Sequence, residues 1–202
     1  LMPIVTPMLA LGKAIKKENP DCYTVYIGPC LSKKYETDKN DISSPMNFII
    51  SFDEINRMFK HNFIDMEKLE PTAPDRTADV YGEKYSIAGD SWTELRRALD
   101  DNGFEFFRGA GLHNVRTLFD LVEKGELEKS YIGISACRES CVMGPFVPKK
   151  SKNFFSRKQM MRNFAEKGWS SQDKLPKINW KEVDLSCTHK AKPVIRLKAS
   201  DE

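Results

Sequence analysis

The chain has 202 residues, 40% of them hydrophobic, and a formal net charge of +3, with a mean hydropathy of -0.51. That length allows one ordinary domain with a sizeable core, or a piece of a larger one, and the charge is too balanced to imply a nucleic-acid or membrane partner. The longest apolar run, Met8-Leu9-Ala10-Leu11, is far short of the ~20 residues that span a bilayer. No basic segment precedes it, so no signal peptide is expected and the expected location is cytoplasmic.

In chain order, Thr6-Pro7 opens a helix that runs to about Glu18, with Thr6 as N-cap and Pro7 at the first helical position. Asn19-Pro20-Asp21 is a turn signal, and the aromatic and β-branched stretch Tyr23 to Gly28 is the first predicted strand. Lys34 to Pro45 is expected to be a polar surface connection, and Asn47 to Ser51 is a second run of strand length. Ser51-Phe52-Asp53-Glu54 is a capping-box pattern that launches a helix to about Asn62. Glu67 to Asp79 carries two prolines and reads as a loop.

A second capping box, Ser91-Trp92-Thr93-Glu94, starts a helix ending near Asn102-Gly103. Phe104 to Arg108 is a strand and Gly109-Ala110-Gly111 a turn. Leu112 to Lys124 is a helix with Val115, Leu118, Phe119 and Val122 on one face, and Gly125 stands where a helix-ending glycine belongs. Tyr131 to Ser135 is a further strand, and Ser156 to Lys167 a last helix ended by Gly168. Strands alternating with helices predict an α/β fold of parallel-sheet lobes with flanking helices. Residues 1–148 are expected to form the core, and 149–202 a basic helical and extended appendage wrapped on it.

Five cysteines is an odd count, and their spacing is not that of a secreted disulfide framework. Thiols or metal ligands in a reducing compartment are the expectation. Two of the predicted strands deliver cysteines at their carboxyl ends: Gly28-Pro29-Cys30 after the first, and Ala136-Cys137-Arg138-Glu139-Ser140-Cys141 after the last. Ligands in open α/β sheets collect at such ends, and thiolates favour iron–sulfur clusters, zinc or Cu(I). On spacing alone, three buried cysteines acting as small hydrophobes is an equal alternative. Gly28-Pro29 and Gly144-Pro145 favour a bound group, because both turns bring backbone amides close to whatever the thiols hold.

Cys22, at the start of its strand, is expected to be structural. Cys187 is a fourth ligand, a zinc ligand with His189, or a surface cysteine. His61 and His113 read as ordinary helix residues, and the basic run 149–162 as a solvated face.

These residues resemble a known family. Pro29-Cys30-Leu31-Ser32-Lys33-Lys34-Tyr35-Glu36 is similar to the motif Pro-Cys-x-x-Lys-x-x-Glu, the second cluster motif in the C-terminal domain of the iron-only (FeFe) hydrogenase large chain. Ala136 to Cys141 with Gly144-Pro145 resembles the third, Ala-Cys-x-Gly-Gly-Cys. Gly82 to Asp90 stands where the family has a glycine-rich turn, and the likeness extends to Asp184–Leu197.

The resemblance implies that Cys30, Cys137 and Cys141 are ligands of a 4Fe–4S cluster at the carboxyl ends of the strands. Cys141 would also bridge to a two-iron subcluster, completing the H-cluster, with Lys33 as hydrogen-bond donor to it. Glu36 is the retained glutamate of the second motif, grouped with Lys33 as catalytic. The implied reaction, in the parent protein, is reversible proton reduction to dihydrogen in an anaerobic setting.

The implied partners are an upstream part of the same protein, carrying the first motif and the missing ligand, and a ferredoxin-type electron donor. Gly28 and Ser135 replace the family's usual methionines, and Glu139 and Ser140 its paired glycines, a pattern that fits sensory or divergent members. The alternatives are a 4Fe–4S redox or sensor module without hydrogen turnover, and a metal-free α/β interaction domain.

Overall fold

The computed structural model describes residues 2–37, 44–78, 80–87, 93–147, 153–167 and 177–188. Several expected features lie outside these: the second capping box at Ser91-Trp92, Ala88-Gly89-Asp90, Gly168, His189 and the run Val194–Leu197. Two compact units form. One takes Leu1–Tyr26, Lys34–Phe48 and Ile178–Glu202, the other Ile27–Lys33 and Ile49–Lys177.

The first unit is built on α1 (Pro7–Glu18). Its buried face carries Met8, Leu9, Gly12 and Ala14. Gly12 is small of necessity, since a Cβ there would meet Met46 Sδ at 2.6 Å and Pro45 at 3.2 Å. Thr6 occupies the N-cap with extended backbone but makes no side-chain cap bond. Its hydroxyl donates instead to Glu36 Oε2 at 2.7 Å.

The segment 182–187 runs beside α1 and the residues before it. Ile4 and Ser186 form an antiparallel bridge, Val5 N donates to Leu185 O at 2.9 Å, and Cys187 N to Pro3 O at 3.0 Å. Lys13 Nζ donates to Asp184 O at 2.7 Å and Lys17 Nζ to Glu182 O at 2.8 Å.

β1 (Val25–Gly28) and β2 (Phe48–Ser51) pair as a two-stranded sheet. The first strand starts two residues later than its aromatic pattern predicts. Thr24 is buried and its backbone is engaged just ahead of the strand, accepting from Asn47 N and Phe48 N and donating to Asn47 Oδ1 at 2.9 Å. The expected polar connection from Lys34 is in part helical: α2 spans Ser32–Thr37. Its six residues contain no Gly or Pro but are too few to show a period.

In the second unit, α3 (Phe52–His61) starts at the capping box read from the sequence. Glu54 N donates to Ser51 Oγ at 3.2 Å, and Ser51 N to Glu54 Oε2 at 2.7 Å. The short α4 (Val80–Glu83) and α5 (Thr93–Asp101) follow.

Then comes a strand–helix–strand unit of β3 (Glu105–Ala110), α6 (Leu112–Glu123) and β4 (Ser130–Ser135). β3 and β4 are parallel, in register from Glu105 with Ser130 to Ala110 with Ser135. The rings of Phe106 and Tyr131 stack across them at 5.9 Å.

Gly109 and Ala110 therefore belong to β3 rather than to the expected turn. Gly109 is buried with Leu118 of α6 so close that a Cβ would meet its Cδ1 at 2.6 Å. Only Gly111 makes the turn, at φ +84°, the left-handed region where glycine has no Cβ penalty.

A 3-10 helix at Cys141–Met143 and then α7 (Phe154–Lys167) complete the unit. No helix among the described residues is long and apolar enough to cross a membrane.

Candidate metal centre

The second unit contains both cysteine-bearing turns. The first leaves β1 through Pro29 and presents Cys30 just ahead of α2, with Lys33 in that helix's first turn. Cys30 Sγ and Ser32 Oγ share a hydrogen bond of 2.9 Å. The second leaves β4, where Ser135 Oγ donates to Cys137 O at 3.2 Å, and reaches Cys141 at the start of the 3-10 helix.

Gly144 joins the two turns. A Cβ there would meet Pro29 O at 2.7 Å, Pro29 Cβ at 2.8 Å and Cys141 O at 3.0 Å. Phe146 N also donates to Pro29 O at 3.3 Å. The backbone before Cys30 and the backbone after Cys141 thus approach as closely as glycine permits.

The consequence is electrostatic. Burial pushes the Cys141 thiol above its usual range, Cys30 and Cys137 push it the same way, and the Lys33 ammonium pulls it back. All five cysteines are free thiols; Cys137 is exposed, and Cys30 and Cys141 are half-buried. Among the described residues no group of three His, Cys, Asp or Glu side chains is closed up around a metal position. The three thiols are neighbours in charge without being gathered into a cage.

Glu36 belongs to the first unit, where it accepts from Thr6. Cys22 and Cys187 also fall there. The Cys22 carbonyl accepts from Lys16 Nζ.

Residues 1–98 match the model of the iron only hydrogenase large subunit, C-terminal domain. That segment is similar to the iron-only hydrogenase large-subunit family. The hydrogenase fold continues past it. A HydA(ΔEFG) structure concerned with stepwise [FeFe]-hydrogenase H-cluster assembly is similar at TM-score 0.54 and 14% identity, covering 85% of this chain and 60% of that one. A variant of [FeFe]-hydrogenase HydA1 from Chlamydomonas reinhardtii is similar at TM-score 0.54 and 15% identity, over 81% of this chain and 59% of that one. A structure concerned with oxygen inactivation of [FeFe]-hydrogenase matches at TM-score 0.54 and 15% identity, with coverage of 79% and 58%. The chain thus spans about 60% of the solved structures it matches. No curated protein matches it.

Within this hydrogenase-like unit, three contributors escape a sequence reading. Gly144 looks like a turn residue, yet its size is fixed by Pro29, far away in the chain. Arg157, in the basic run expected to face solvent, reaches from α7 to donate to Val142 O at 3.4 Å. Ser86 O accepts from Val142 N at 3.2 Å, and the buried Ser86 Oγ has no partner among the described residues. Ser86 lies within the Gly82–Asp90 stretch, but only tertiary packing brings it to the Cys141 turn.

The residues present fit an iron–sulfur group in kind. The donors are soft thiols, a cation faces the thiol with the most perturbed ionisation, and a buried hydroxyl beside the turn awaits an acceptor.

Proposed function

We propose that this chain is the iron–sulfur cluster-binding part of an iron-only hydrogenase-like protein, with Cys30, Cys137 and Cys141 as three ligands of a 4Fe–4S cluster. The observation that carries this is the Gly144–Pro29 approach, which ties the two cysteine turns together. In the parent protein such a centre, with a two-iron subcluster, supplies reversible proton reduction to dihydrogen.

The chain's own residues have narrower tasks. Cys30, Cys137 and Cys141 hold iron as thiolates. Lys33 offsets the negative charge gathered at Cys141 and donates to an anionic ligand, a charge-assisted bond stronger than a neutral one. Glu36, which accepts from the Thr6 hydroxyl, is grouped with Lys33 as catalytic on α2. The partners are an upstream part of the parent, carrying the remaining ligand, and a ferredoxin-type electron donor.

The test is anaerobic reconstitution with iron and sulfide. Wild type is expected to bind both, while Cys137→Ser and Cys141→Ser lose them; a wild type that takes up no iron would establish a metal-free α/β domain instead. Infrared bands of iron-bound CO and cyanide in the matured parent separate a hydrogenase from a cluster module without hydrogen turnover. Ser140 favours that second reading. It replaces a family glycine while keeping φ +61°, ψ -171°, so the turn keeps a glycine's path but carries a side chain.

A further inference from the structure

We propose that the Ser86 hydroxyl is a positioning donor to the cluster on the Cys141 turn, a role that rests on the cluster-binding reading above. Val142 N donates to Ser86 O at 3.2 Å, which sets Ser86 against the residue next to Cys141. Its Oγ is cut off from solvent and has no hydrogen-bond partner among the described residues. The following residue, Ile87, is 0% exposed.

Three carbonyls of the turn are already engaged. Ser140 O accepts from Met143 N at 3.1 Å, Cys141 O from Gly144 N at 2.9 Å, and Val142 O from Arg157 Nη1 at 3.4 Å. A buried hydroxyl left without a partner is costly, and folded proteins keep few. Around this turn, the acceptors a bound cluster would add are its sulfides and the Cys141 thiolate.

A hydroxyl donating to cluster sulfur favours the more negative, reduced state and raises the reduction potential. Ser86 would thereby set how readily the cluster takes an electron, without ligating iron.

The experiment compares wild type, Ser86→Ala and Ser86→Thr, each reconstituted anaerobically and titrated with dithionite under EPR. All three are expected to hold equal iron. Ser86→Ala is expected to give a more negative midpoint, by about a tenfold fall in the reduced-to-oxidised ratio at fixed potential, about 59 mV for one electron, and Ser86→Thr to match wild type. Without iron, Ser86→Ala is expected to melt higher than wild type, because it removes the unpaired hydroxyl; loading is expected to erase that gap. Equal midpoints at full iron content, or an unchanged melting gap, overturn the role of Ser86 and leave cluster binding standing. No iron in wild type overturns both.

Discussion

At Cys141 two influences oppose each other: burial and the neighbouring thiols hold the proton on, and Lys33 helps it leave. The folded chain therefore binds this proton more tightly than the unfolded chain, whose thiol ionises near ~8.5. Below that pH both states are protonated and the group does not affect stability. Above it the unfolded state loses its proton first, so stability falls as pH rises. In the metal-free protein, alkylation of Cys141 by iodoacetamide, followed by mass spectrometry, is expected to rise with a pH midpoint above that of the urea-unfolded chain. Lys33→Ala is expected to move the midpoint higher still; an unchanged midpoint would mean that the ammonium does not act on this thiol.

Ser140, one residue earlier, sits at φ +61°, ψ -171°, a region used almost solely by glycine, where another residue costs about 1–3 kcal/mol. Ser140→Gly is expected to recover part of that cost as a higher urea midpoint at unchanged slope.

Among the elements, those with local signals were legible from the sequence and those shaped by long-range packing were not. The box at Ser51 and Glu54 starts α3 because both partners lie within one turn, and Pro7 and Gly125 mark helix ends through their own backbone preferences. Gly109 looked like part of a turn because its alternative, packing under Leu118, involves a residue on another element. Gly144 is the clearest case. Its φ is negative, so alanine is allowed by its backbone and excluded by Pro29 and Cys141 atoms that belong to the main chain or to a rigid ring. Gly144→Ala is expected to lose about 1–3 kcal/mol in urea unfolding, the usual range for overpacking, and to lower iron uptake as the two cysteine turns separate. Gly103→Ala, where nothing lies within 4 Å of the added Cβ, is the control: it strains a positive φ but is expected to leave iron uptake unchanged.

For the whole molecule, motif order was legible and spatial organisation was not. The unit boundaries fall at Tyr26/Ile27, Lys33/Lys34, Phe48/Ile49 and Lys177/Ile178, the first three inside β1, α2 and β2, elements that the sequence presents as continuous. The same interleaving leaves the second unit with three cysteines, Cys30, Cys137 and Cys141, and assigns Cys22 and Cys187 to the first. A cubane takes four thiolates, and among the described residues no three ligands are yet closed around one position. Loading this chain by itself must therefore draw the turns onto the iron and find a fourth donor outside the three. A small thiol in solution can fill that place as the fourth cluster ligand, in competition with any further ligand in the parent. Reconstitution at rising mercaptoethanol concentration is expected to increase bound iron and sulfide until saturation, and Cys22→Ser with Cys187→Ser to leave that curve unchanged. Loading that reaches four irons per chain without added thiol, and that falls in Cys187→Ser, would make Cys187 the fourth ligand and remove the need for an outside one.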